Sequence, residues 1–251
     1  MSNNISEILN KFEKCSLSEM DSVKLMNRVD TKFVLSKESL FEILPNLFND
    51  YRCLEINGQS LLSYKNQYFD DDKFSCFQDH HRKIPNRFKV RIRKYLDTHI
   101  SFLEVKKKIK GRTNKSRIVV DDFVEELDEQ QSEFINNSIG EKHVLSPTLW
   151  NDFQRITLVN NNNSERLTLD FNLTFEFNKV KKKYNNIVIA ELKQSNVNRN
   201  SVFFKELKKR IIRPYRISKY CIGSMNISSE KIKANRFKKK YLYINKLNNA
   251  C

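Results

Sequence analysis

Glycine is nearly absent: the 251-residue chain contains four. That excludes a Walker-type phosphate loop and the dinucleotide fingerprint, which need clustered glycines to bring backbone N–H groups up to a phosphate. If such a chain binds phosphate, side chains must do it. No apolar run approaches the roughly 18 residues that cross a bilayer, and the N-terminus shows no signal-peptide core. A cytoplasmic protein is therefore expected, held to a membrane only through a membrane-protein partner. The five cysteines, Cys15, Cys53, Cys76, Cys221 and Cys251, are scattered and form no Cys-x-x-Cys pair, against a zinc knuckle or a disulfide framework. His80 and His81 are adjacent, lack metal-ligand spacing, and are expected at the exposed end of a helix.

What the chain has in excess is positive charge. Lysine and arginine number 46 against 30 aspartates and glutamates, for a formal charge of +16 and a pI near 9.6. Such a balance suits an anionic partner: nucleic acid, a phosphate compound or a membrane surface. The length fits one large domain or two small ones and permits a sizeable core. Basic residues spread along the whole chain, and the segment Lys231 to Lys246, rich in them, is expected to be a solvated terminal helix.

The cations are most ordered in "FKVRIRKYLDTHISFLEVKKKIKG", residues 88–111, which alternates as two strands joined at DTH. Lys89, Arg91, Arg93 and Tyr95 share a face opposite Val90 and Ile92. In the second strand Phe102, Glu104, Lys106 and Lys108 lie opposite Leu103, Val105 and Ile109. Like charges about 7 Å apart at an effective dielectric of ~20 repel by about 2 kcal/mol. An open, wet sheet face would screen most of that. The competing reading is a site for a polyanion.

The rest of the chain favours the polyanion. Residues 4–26 are expected to be helical, as are 37–49, disturbed at Pro45, then "DDKFSCFQDHHR", the acidic segment 122–138 and most of the chain beyond Phe203. Strands are expected at "MNRVDTKFVLS", "QSLLSYKNQYFD", "NKSRIVV", "LWNDFQRITLV", "RLTLDFNLTFEF" and "IVIAELKQS". In "RLTLDFNLTFEF" the alternation puts Arg166, Thr168, Asp170, Asn172, Thr174 and Glu176 on one face. At least five strands carry arginine and lysine with an occasional carboxylate on one side and hydrocarbon on the other. Turned inward, those faces would line a barrel with a charged lumen, untenable dry and empty, so filled by water, metal ions and an anion.

In this order the motifs "RVDTKFVL", "YFDDDKF", "RFKVRIRKY", "FLEVKKK", "NKSRI", "FQRITL", "ERLTLDF", "IAELK" and "RISKYCIG" make the chain resemble the VTC domain, the polyphosphate polymerase domain of the vacuolar transporter chaperone complex, within the triphosphate tunnel metalloenzymes. The resemblance spans about residues 24–226 and implies an α+β fold: a closed antiparallel β-barrel of about eight strands forming a charged tunnel, with helices packed outside. It implies one domain over 1–251 with a basic helical tail from about 228. It also implies catalytic roles for Arg91, Arg93, Lys106, Arg155, Arg166 and Lys219, and substrate binding by Lys32, Lys89, Lys115, Lys193, Arg216 and Ser218. Glu191 matches the family's metal-binding glutamate, for Mn2+ or Mg2+. Glu104 and Asp170 share the lumen face by parity, either adding to that metal site or orienting nearby cations.

Three departures stand out. Position 153 is Phe where the family often has Tyr, Arg216 stands where Lys is usual, and Arg28-x-Asp30-x-Lys32 lacks the paired glutamates of the hydrolytic members. The implied activity is transfer of the ATP γ-phosphate to polyphosphate. The alternatives are a tripolyphosphate or nucleoside triphosphate hydrolase, or a non-catalytic polyphosphate-binding module. RNA binding ranks last, because the aromatics needed to stack bases are expected mostly on the apolar faces; no specific nucleic-acid partner is expected.

Overall fold

A computed structural model describes residues 2–22, 28–110, 112–162, 164–228, 230 and 232–250. In chain order the elements are α1 (Ser2–Leu9), β1 (Lys14–Cys15), α2 (Leu17–Ser22), β2 (Val29–Ser36), α3 (Lys37–Ile43), β3 (Tyr51–Leu54), β4 (Leu62–Asp70) and α4 (Ser75–Arg82). Then come β5 (Arg87–Tyr95), β6 (Ile100–Ile109), β7 (Arg112–Val120), α5 (Glu129–Ile139), β8 (Ser146–Asn160) and β9 (Glu165–Phe177). The chain continues through β10 (Val180–Tyr184), β11 (Ile187–Gln194), α6 (Val202–Lys209), α7 (Lys219–Ile227) and α8 (Lys238–Asn249).

Eight strands form one antiparallel path, β2-β11-β9-β8-β4-β5-β6-β7. The sheet curls: Glu191 on β11 acts electrostatically on Lys106 of β6, and Lys32 of β2 on Lys89 of β5, although these strands lie far apart in the strand order. Among the described residues β2 and β7 form no ladder with one another; the sheet is a curled half-barrel, and the expected closure into a barrel is not shown.

Hydrocarbon covers the outside in two patches. Phe33, Leu35, Ile156, Leu169 and Ala190 pack against α1, α3 and α6, while Val90, Ile92, Leu103 and Val105 pack against Ile135 and Ile139 of α5. A third cluster fills one end of the concave face, where Leu149, Leu173 and Phe175 meet Tyr220 and Ile222 of α7. Leu173 and Phe175 should have faced outward by simple alternation, as Leu169 and Phe171 do. A bulge reverses them. Between Gln154↔Phe171 and Asp152↔Thr174, two residues of β9 stand against Phe153 alone, and Asn172 takes a left-handed φ of 53°. Asn172, Thr174 and Glu176 therefore do not continue the lumen face of Arg166 and Asp170.

Other expectations need correcting. The helix over 4–26 is two short helices separated by β1, which pairs with β3; residues 23–26 lie outside the described residues. The helix over 122–138 starts only at Glu129, where Asp128 caps it by accepting the Gln131 N–H at 2.7 Å. Upstream, Gln67 accepts the Val124 N–H and donates to its carbonyl, which holds that stretch extended. The 37–49 helix stops at Ile43, with a 3-10 turn at Leu44–Leu47 that takes Pro45. His81 is buried, its Nε2 accepting the Arg236 N–H at 3.1 Å, and both imidazoles pack against Phe237. Gly111, Lys231 and Cys251 lie outside the described residues.

Candidate functional site

Strand parity and ladder register determine what the concave face presents. In neighbouring strands Lys32 stands opposite Glu191, Arg155 opposite Asp170, Asn66 opposite Arg93, Arg91 opposite Glu104, and Lys106 opposite both Lys89 and Lys115. These cations come from separate strands, so no local sequence cluster shows them together. The curl of the sheet brings them to one lumen.

Each of three carboxylates is clamped between two cations. Glu104, fully buried, accepts from Arg91 Nε at 2.9 Å and Nη2 at 2.6 Å, and from Lys115. Asp170 accepts from Arg155 Nε at 2.5 Å and Nη2 at 2.8 Å, and from Lys219. Glu191 sits between Lys32 and Lys193, 3.2 Å from each. Burial opposes ionisation of all three, but the surrounding cations outweigh it and hold every carboxyl well below the usual range. The cations respond unequally. Glu191 pushes Lys32 up, whereas Arg91, then burial, holds Lys106 well below an ordinary lysine. Burial also lowers Lys89, Lys115, Lys193 and Lys219. Lys106 is exposed to solvent and yet ringed by charge, the situation of a side chain in a wet channel.

Aromatic rings support the arginines. Phe153 lies parallel to Tyr64 with centroids 5.2 Å apart, and Arg93 and Arg155 lie over both rings. Lys219 Nζ is 4.5 Å from the Phe153 centroid. The Arg93 Nε also donates to Asn66 Oδ1 at 2.9 Å, and Tyr68 accepts from Arg91 Nη1 at 3.3 Å. Strand β4 thus supplies Tyr64, Asn66 and Tyr68 to the site. Sequence reasoning identified the strand but not these side chains, whose every-second-residue spacing was the available signal.

The remaining expected residues lie around this centre. Arg166 is beside Lys193 in register and donates to the Met20 carbonyl at 2.9 Å. Ser218 caps α7, accepting the Cys221 N–H, and takes a hydrogen bond from Lys89 Nζ at 2.7 Å. Lys219, the first residue of α7, reaches inward to Asp170. Arg216 is exposed, close enough to Lys108 to influence it, and sits at the rim with its carbonyl accepting from Lys240.

A divalent ion has no ready-made cage here: no group of three or more His, Cys, Asp or Glu converges among the described residues. What fits is a Mg2+ or Mn2+ that takes one carboxylate and completes its shell with water and phosphate oxygens. Glu191 suits this best. Its side chain is 19% exposed against 0% for Glu104 and 3% for Asp170, and its lysine contacts are longer than either arginine pair.

No helix of the described residues is long and apolar enough to cross a membrane. No curated protein matches the chain by sequence. Among solved structures, a candidate adenylyl cyclase from Hippeastrum, described as having a dominant triphosphatase activity, is similar at 15% identity and a TM-score of 0.50, covering 83% of this chain and 98% of its own. A candidate adenylate cyclase from Bacillus halodurans is similar at 14% identity and a TM-score of 0.49, covering 76% and 94%. The first of these likenesses concerns the fold alone, a curled antiparallel sheet with helices packed on it. The VTC domain profile matches residues 27–227, most of the strands and every cation of the concave face among them, and the chain belongs to the VTC domain family.

Proposed function

We infer that the concave face is the active site of a metal-dependent phosphotransferase that moves the terminal phosphate of ATP onto a growing polyphosphate chain. Membership of a triphosphate tunnel family favours a polyphosphate substrate, and the lumen's chemistry supports the choice of acceptor. The observation that carries the reading is the clamping of Glu104, Asp170 and Glu191, each between two cations. A carboxylate so paired is a poor proton acceptor. Attack by water calls for a group to orient the nucleophile and accept its proton, whereas the end of a polyphosphate chain is already an anionic nucleophile. What transfer needs is neutralisation and alignment of phosphates, which arginine forks and lysine point charges supply. Arg91, Arg93, Arg155, Lys106 and Lys219 would hold the triphosphate, and Lys89 with the Ser218 turn the incoming chain. A divalent ion on Glu191 would contribute charge neutralisation between phosphate oxygens.

Glu191→Gln tests the metal arm. The variant should lose metal-dependent turnover of ATP while still binding tripolyphosphate, measured by calorimetry without metal. Turnover near the wild-type rate with Mn2+ or Mg2+ would remove Glu191 from this role.

A further inference from the structure

The aromatics of the concave face are not confined to the arginine cradle: Tyr95 and Phe102, which strand alternation already places among the cations, extend it. From Tyr64 the series continues to Tyr95 at 5.1 Å between centroids, and from Tyr95 to Phe102 at 5.9 Å. It ends at Arg117, whose guanidinium lies 4.5 Å from the Phe102 centroid. The belt thus crosses β8, β4, β5, β6 and β7 on one face, near the β5–β6 turn, and opens as it goes. Phe153 and Tyr64 are buried, Tyr95 and Phe102 half-buried, and Arg117 exposed. Arg117 stands opposite Glu104 in register, but that carboxylate is taken by Arg91 and Lys115. Among the described residues Arg117 forms no ion pair, and its planar cation is left over an aromatic ring.

We propose that Tyr95, Phe102 and Arg117 form a nucleobase platform that fixes the direction in which a nucleoside triphosphate enters the lumen. This rests on the triphosphate reading given above. A triphosphate on Arg91, Arg93 and Arg155 has two directions in which to send its nucleoside. One leads to the α7 end, closed by Leu149, Phe175 and Tyr220 and bordered by Lys89, Arg216 and Lys240. That end also carries a ring pair, Tyr215 and Tyr243 with centroids 5.1 Å apart and Lys240 Nζ 5.9 Å from the Tyr215 ring. These rings stand on the segment before α7 and on α8, not on the sheet, whereas the belt is continuous with the arginine cradle through Tyr64. The other leads to the belt, where half-buried rings and a guanidinium offer a purine both π-stacking and cation–π contact. The nucleoside therefore lies at the β5–β6 turn, and the polyphosphate chain extends toward Lys89 and Ser218.

The test compares ATP with tripolyphosphate by calorimetry, since only ATP carries a base. Phe102→Ala and Arg117→Ala should each weaken ATP binding about tenfold and leave tripolyphosphate within about twofold. Phe102→Trp places a fluorophore on the platform; the one natural tryptophan, Trp150, packs against Phe123 instead. Its emission should be quenched by ATP and not by tripolyphosphate. Equal weakening of both ligands, weakening of neither, or quenching alike by both would overturn the platform while leaving the lumen a triphosphate site. If wild-type protein bound neither ligand, the triphosphate reading would fall and the platform with it.

Discussion

Phe153 lies beneath Arg93, Arg155 and Lys219, where a tyrosine hydroxyl would need its own partner. A hydrocarbon ring under several cations attracts them at about 0.5–2 kcal/mol each without supplying a counter-anion, so the charges remain available to phosphate. The carboxylates are different, because they neutralise. Glu104→Gln should destabilise the free protein by roughly 3 kcal/mol, since Arg91 loses its buried counter-charge, and should tighten tripolyphosphate binding because the lumen gains positive charge. Urea unfolding and calorimetry read the two effects; a stable variant with unchanged affinity would show that Glu104 does not balance the lumen. Lys106 gives the pH dependence. Its pKa in the folded protein lies well below 10.5, so the unfolded chain binds more protons in the interval between, and stability should rise with pH there. Lys32, pushed up by Glu191, contributes in the opposite sense: its stabilisation is present below 10.5 and lost as pH climbs through its folded value. Lys106→Met should flatten the rise, and in the wild type tripolyphosphate should bind with proton uptake, measurable by calorimetry in buffers of different ionisation enthalpy. Binding without uptake would contradict the depressed lysine.

Helix α7 shows how one element positions the site. A Cβ at Gly223 would come within 2.5 Å of both Leu149 Cδ2 and Phe175 Cδ1, so only glycine lets the helix lie this close to β8 and β9. Gly223→Ala should cost about 1–3 kcal/mol and displace Lys219 and Ser218 at the helix start, weakening tripolyphosphate along with stability. Unaltered melting and affinity would mean α7 has room that its packing does not suggest. Phe175 faces α7 because of the β9 bulge, which is the point where sequence reasoning lost the pattern. Alternation placed Arg91, Arg93, Lys106, Arg155 and Glu191 on one face, because strand period alone decides that. It could not place Leu173, because an asparagine that tolerates a left-handed φ looks the same in sequence as one that does not adopt it. The short pairings of β1 with β3 and of β10 with β9 escaped notice for a related reason: their partners are fixed by tertiary packing and not by their own periodicity. The buried state of His81 was hidden likewise, since Phe237 and the Arg236 N–H reach it from the far end of the chain.

At the scale of the molecule, the formal charge of +16 is not spread evenly as a generic polyanion surface would have it. Part of it is concentrated on the inside of a curled sheet, held apart by three carboxylates and carried on aromatic rings, with hydrocarbon and helices packed outside. Such a lumen is costly to fold, and under the proposed function polyphosphate should stabilise it, raising the melting temperature more as its chain lengthens. In the proposed activity this lumen transfers phosphate to phosphate and not to water. The direct test is to incubate the purified protein with ATP and Mn2+ and resolve the products on a gel. A ladder of polyphosphate with ADP released alongside is the predicted result. Orthophosphate as the sole phosphate product, with no ladder at any ATP concentration, would contradict it.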